Sequence, residues 1–277
     1  MSLMSRISNG WTIASNSWKV LRENKGLIVL PVLSTLSLIV IIGSFLTVTI
    51  GFYGWDAHII QRQGTVLQYA IIFGFYIVNY FIVMFFNVAL VYCVSMYFKG
   101  EKVSVKDGIQ FSISRIGTIF SWAVFAGSVG AVLKIIQENV GSLGKILTGL
   151  IGIVWSIATF FVIPVIAYEN LGPVAAFKRS AQIMKDKWGE RIGAGFSFGL
   201  ITLAGLVIIG IVAFGVAAAI HPFVGIAVGV LGVASLMAIM SALRTIFISA
   251  VYHNINGDPV ELYNQQFIDN LFVSKKK

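Results

Sequence analysis

Three histidines, His58, His221 and His253, and one cysteine, Cys93, are the residues of this chain best suited to hold a metal or attack a carbonyl. The topology derived below puts His58 and His221 on one side of a membrane and His253 on the other. They cannot share one ion, and no second cysteine is present to complete a zinc site. Cys93 lies inside an apolar run and reads as a small core residue. No serine stands in the strand-turn-helix context of a nucleophile elbow. The glycines sit inside apolar runs, where small residues let helices approach: Gly195 with Gly199, and Gly225 with Gly229 and Gly232. No catalytic residue, metal or cofactor is expected, and the chain reads as a non-enzyme.

A second group of polar residues lies within apolar stretches, where a charge or amide is costly and usually takes a partner. Glu169 and Arg244 fall near the same end of two such stretches, so they are expected to pair or to share a polar cluster with Asn79 or Asn87. The alternative for Arg244 is that its long side chain reaches the lipid headgroups. Asn79 and Asn87 lie close to one face of a single helix, better buried against other helices than left in lipid.

The elements that position these residues are membrane spans. The chain is 57 % hydrophobic and 11 % charged, with a mean hydropathy of +0.89. A soluble domain holds about 25 % charged residues, so lipid must be the solvent for most of this surface. Continuous apolar runs exclude a barrel, whose strands alternate polar with apolar. The runs predict six spans, at residues 27–53, 66–98, 116–137, 146–168, 193–220 and 223–252. The second exceeds what a bilayer needs and must tilt, kink or project. No cleavable signal peptide is expected at the polar start of the chain. The expected class is an all-α polytopic membrane helix bundle, one integral domain over residues 1–277.

The net charge of +9 sits between the spans. Arg6, Lys19, Arg22, Lys25, Lys99, Lys102, Lys106, Arg115, Lys178, Arg179, Lys185, Lys187, Arg191 and the terminal lysines fall on one side; Arg62, Lys134 and Lys145 fall on the other. That bias places both termini and the long loops in the cytoplasm of a prokaryotic inner membrane. It also argues for anionic lipid as the partner of the charge, and against nucleic acid.

Two of the cytoplasmic segments are amphipathic. Over residues 4–25, Ile7, Trp11, Ala14, Trp18 and Leu21 form one apolar stripe. After Pro173, suited to the first turn of a helix, Val174, Phe177, Ala181, Met184 and Trp188 form another. The first helix is expected to lie in the membrane plane, the alternative being a cap packed on the bundle. Ser104 and Asp107 have capping-box spacing and predict a third such helix. The chain then reads as one unit used three times, an amphipathic helix followed by a hairpin, over residues 1–98, 99–168 and 169–253 with a tail at 254–277. Residues 17–25 (SWKVLRENK) align with 180–188 (SAQIMKDKW), and 111–114 (FSIS) with 177–180 (FKRS).

The signature at residues 155–190, WSIATFFVIPVIAYENLGPVAAFKRSAQIMKDKWGE, resembles a family of prokaryotic polytopic membrane proteins known as a domain of unknown function. Residues 243–259, LRTIFISAVYHNINGDP, are similar to that family's last span and its exit. The pattern is more distantly similar to the membrane domain fused to some glycerophosphodiester phosphodiesterases, without room here for their hydrolase barrel. The resemblance implies an architecture and no catalytic residues.

The resulting reading is a membrane module that organises lipid, a protein partner or a second copy through its basic cytoplasmic helices, with Lys19, Arg22, Lys178, Arg179, Lys185, Lys187 and Arg191 facing lipid. A transporter or channel for a small solute or lipid is the alternative. A reporter active only outside the cytoplasm, fused after Lys277, should be silent; an active fusion would overturn the orientation.

Overall fold

Runs of 20 or more apolar residues have one way to satisfy their backbone in lipid without a closed barrel, and that is to wind into helices. The computed structural model, which describes residues 3–53, 65–188, 198–258 and 260, is all-α. Its helices are α1 (Leu3–Glu23), α2 (Val29–Tyr53, after a 3₁₀ turn at Lys25–Ile28), α3 (Thr65–Phe98), α4 (Val105–Ser114) and α5 (Ile116–Asn139). There follow α6 (Ser142–Ala158), a bent segment Val162–Glu169, α7 (Pro173–Trp188), α8 (Phe198–Ala219) and α9 (Pro222–Ile255). Among the described residues five helices are long and apolar enough to cross a membrane, and a sixth crossing is made if α6 and the Val162–Glu169 segment count as one span. This is a multi-pass membrane protein with an all-α polytopic architecture. The loop bearing Asp56, His58 and Arg62, and the tail lysines, lie outside the described residues.

Local signals explain most boundaries. Ser104 Oγ accepts from the Asp107 N–H at 3.3 Å and starts α4, as its spacing predicts. Pro173 opens α7 and Pro222 opens α9, where His221 Nδ1 accepts from the Phe223 N–H at 3.3 Å. The stretch read as a fourth span over 146–168 is bent: α6 stops at Ala158, and the chain resumes at Val162 at 45°. The cause is Pro164, which has no N–H to give and whose ring clashes with the carbonyl one turn earlier.

The chain divides into two compact units whose boundaries cut across the three sequence segments. One comprises Met1–Thr35, Leu90–Gly108 and Lys185–Lys277; the other comprises Leu36–Ala89 and Ile109–Met184.

In the first unit α8 lies along α9, and α1 packs against both. Small residues make the first contact possible. A Cβ added at Gly225 would come within 2.6 Å of the Ala213 carbonyl oxygen, and one at Gly232 within 2.8 Å of the Ile209 side chain. Gly229 also faces α8, while Gly199 meets nothing and Gly195 lies outside the described residues. Along α9 the large exposed apolar side chains are Phe223, Val224, Ile226, Val230, Leu231, Val233 and Met237. From Ala242 to Asn254 every residue except Arg244 is buried. The end of α3 is buried in the same way, at Leu90, Val91, Cys93, Val94 and Ser95.

In the second unit α5 packs on α6 around Ile119, Trp122, Ala123 and Ala126. The outward faces of α6 are apolar and exposed at Ile146, Leu147, Leu150, Ile151, Ile153 and Val154, as lipid contact requires.

Gly225→Ala should force α8 off α9 and lower thermal stability in detergent by about 1–3 kcal/mol. Gly210→Ala, with open space around it, should change stability by less than about 0.5 kcal/mol. Equal melting temperatures for the two variants would count against the close contact.

Candidate functional site

The break in the fourth span creates a problem of unpaired backbone, and its solution builds the site. At Thr159 the helix tightens, with the Phe160 N–H bonding back to the Ile157 carbonyl at 3.2 Å. The Phe161 N–H instead donates to Ser180 Oγ on α7, at 2.9 Å and fully buried. Past Pro164 the chain forms a π-helical turn over Val165–Glu169. It ends at Asn170, whose φ of 50° is left-handed, a conformation asparagine tolerates better than most residues. That turn reverses the chain, so α7 comes back against the span it has just left. Phe177 stacks on Trp155 of α6 at 5.3 Å, and Trp155 stacks on Trp122 of α5 at 6.1 Å.

Polar groups gather at the reversal. Arg179 Nε donates to both carboxylate oxygens of Glu169, at 3.0 and 3.1 Å. Thr118 Oγ1 on α5 donates to Asn170 Oδ1 at 2.9 Å. Arg115, one turn before Thr118, lies over the Phe111 ring with its Nε buried and unbonded among the described residues. The guanidinium that holds Glu169 within this unit is Arg179. The physical reason is the reversal, which returns the chain to Glu169 within ten residues. Arg244 belongs to the other unit, is exposed, and has no hydrogen-bond or ion-pair partner among the described residues.

α7 divides into three faces. Ala176, Ser180, Ile183 and Met184 are buried against protein; Lys178, Gln182, Lys185 and Asp186 are exposed. Between them runs a partly exposed apolar ridge of Val174, Phe177 and Ala181. The predicted stripe is thus split: Val174, Phe177 and Ala181 form this ridge, Met184 joins the packed face, and the side chain of Trp188 lies outside the described residues. α1 repeats the pattern. Ala14, Ser17, Val20 and Leu21 are buried, Lys19 and Arg22 are exposed, and Trp11 and Trp18 stand out at 69 % and 49 % exposure. Positions aligned from sequence share their environment: Ser17 with Ser180, Val20 with Ile183 and Leu21 with Met184 are buried, and Arg22 with Lys185 are exposed. In α4 the register differs. Ser114, matched to Ser180 by sequence, is exposed, whereas Ser112 is buried and donates to the Phe85 carbonyl at 2.8 Å.

Of the remaining expected residues, Asn87 is buried, with Nδ2 donating to the Val83 carbonyl at 2.7 Å, and Asn79 is half-buried. The side chain of Lys187, and all of Arg191, lie outside the described residues. Sequence reasoning gave no role to a polar lock at the end of α9, where His253 Nδ1 meets Asp258 Oδ2 at 2.9 Å and the His253 ring stands edge-on to Phe98. Gly257, at φ 85°, makes the turn that brings Asp258 back. The His-Asn-x-x-Gly-Asp spacing was the available signal. Among the described residues no three His, Cys, Asp or Glu side chains converge as metal ligands would.

Ser180→Ala should strand the Phe161 N–H and cost about 1–3 kcal/mol of stability. Ser112→Ala removes a donor from a carbonyl that a helix already uses, and should cost about 1 kcal/mol or less. Thermal denaturation in detergent that ranked the two the other way would refute this account of the break.

No curated protein and no solved structure matches the chain, so neither comparison supports the looser similarity to glycerophosphodiesterase membrane domains. Residues 66–259 do match a family, from the start of α3 through the end of α9 and across the whole broken span and α7. With well over half its length matched, the chain belongs to the Family of unknown function (DUF6159).

Proposed function

We propose that the protein is a non-enzymatic membrane module that gathers anionic lipid, or holds a partner complex, at the cytoplasmic face of a prokaryotic inner membrane through α1 and α7. The observation that carries this reading is the three-way division of both helices. A helix that only capped a bundle would need one buried face and one polar face. Here a third face, Trp11 with Trp18 on α1 and Val174 on α7, is apolar and exposed. It lies between the protein contact and the cations Lys19, Arg22, Lys178 and Lys185. Tryptophan belongs at the headgroup boundary, where one edge of the ring is wet. Each adjacent Lys or Arg adds about 1 kcal/mol of attraction to an anionic surface. The two readings open for α1, surface contact and cap, then describe different faces of one helix.

The test uses an environment-sensitive fluorophore on a cysteine at position 18 (Trp18→Cys), with the native Cys93 buried and unlabelled, in nanodiscs. Lipids brominated near the headgroup should quench it, more strongly on phosphatidylglycerol than on phosphatidylcholine. Lys19→Gln with Arg22→Gln should erase the difference between the two lipids. Quenching by aqueous iodide alone would sink the proposal.

A further inference from the structure

Arg244 is used by nothing described so far, and its surroundings specify what it meets. On α9 it shares one helix face with Ile226, Val230, Val233 and Met237, which are spaced three or four residues apart, and a turn in which Met240 is buried and Ser241 half-buried separates it from them. Those four are exposed and apolar. Arg244 is exposed too, and it is charged. The next positions on the same face, Ile248 and Val251, are buried. The face therefore passes from exposed apolar residues to a stretch sheathed by protein, and within the first turns of that stretch one cation stays open. The cation stands at the rim.

Its axial position is equally specific. From Pro222, the first residue of α9, to Arg244 is 22 helical steps, or about 33 Å at 1.5 Å per residue. The hydrocarbon core of a bilayer is about 30 Å thick. With Pro222 at one boundary, Arg244 reaches the other, while the remaining turns of α9 continue into the buried end of the first unit. A guanidinium at the middle of the core would need a protein partner, and Arg244 has none among the described residues. At the boundary it needs only the phosphates of the headgroups, which its planar fork of donors fits.

We infer that Arg244 is a phospholipid-headgroup site: it binds the phosphate of a lipid whose chains lie along the Ile226–Met237 face, and it fixes the level at which α9 leaves the bilayer. The occupant is lipid, as in the function proposed above, but the site uses no residue of α1 or α7 and stands independently of that reading. It also explains the length of α9. The helix need not tilt to hide 34 residues; its last turns lie beyond the hydrocarbon and are covered by protein.

Two measurements on the full chain test this. Spin labels at positions 226, 233 and 244 (Ile226→Cys, Val233→Cys, Arg244→Cys) in phosphatidylglycerol–phosphatidylcholine bilayers report depth by collision with oxygen and with a water-soluble nickel chelate. Position 233 should be rich in oxygen and poor in nickel, and position 244 should read at headgroup level. Equal depths for 233 and 244 would overturn the inference. So would dipolar broadening at 244, which would make this face a contact between copies. In the second measurement, protein purified in mild detergent with phosphatidylglycerol is analysed by native mass spectrometry. Arg244→Gln should retain about fivefold less bound phospholipid, and Arg244→Lys should retain most of it. Arg244→Gln should lower retention by the same factor in a Lys178→Gln, Lys185→Gln background, which separates the Arg244 site from the α7 surface; no further loss in that background would overturn the separate site. Undiminished retention in Arg244→Gln, with the variant folded, would overturn the site.

Discussion

A backbone N–H that has lost its helical acceptor in an apolar setting must find another or leave. Where hydrocarbon is the surroundings, an unmet donor costs several kcal/mol. In this protein the constraint falls on Phe161. Pro164 breaks the fourth span just upstream of itself, and the exposed donor is met by Ser180. That single bond sets where α7 can lie. The left-handed Asn170 then follows as the shortest way back, Phe177 falls onto Trp155, and Arg179 arrives at Glu169. The ion pair is part-exposed on both sides and contributes modestly by itself. It finishes an arrangement that the buried serine determines.

Membrane proteins sort side chains by size as much as by polarity, and α1 and α7 show the rule in small form. Val20, Leu21, Ile183 and Met184 are buried in these helices, and small residues sit beside them. Ala14, Ser17, Ala176 and Ser180 go to the protein contact, because a short side chain lets helix backbones approach. Trp11, Trp18 and Val174 stay outside. The same sorting places Gly225 and Gly232 of α9 against α8 and leaves Ile226 and Leu231 exposed.

The sequence made the spans legible because length and continuity are enough to recognise them, and it marked the starts of α4, α7 and α9 through Ser104, Pro173 and Pro222. It also carried the equivalence of Ser17 and Ser180, later matched by their shared burial. What it could not carry was direction. A stripe of large apolar residues says that one helix face avoids water, but not whether protein or lipid covers it. The stripes of α1 and α7 are therefore divided, with Ala14, Leu21 and Met184 buried and Trp11, Trp18 and Val174 exposed. The partner of Glu169 was unreadable for a related reason. Arg179 reaches it through a reversal at Asn170 that no period encodes. Pro164 signalled the break, yet the residue that would meet the freed donor lay 19 positions away.

That separation has a consequence for biogenesis. A chain entering the membrane from the ribosome presents Phe161 before Ser180 has emerged, so this N–H and its acceptor meet only when α7 has followed the span out. Insertion of this span is therefore completed from behind, by a residue added after the span itself has been made.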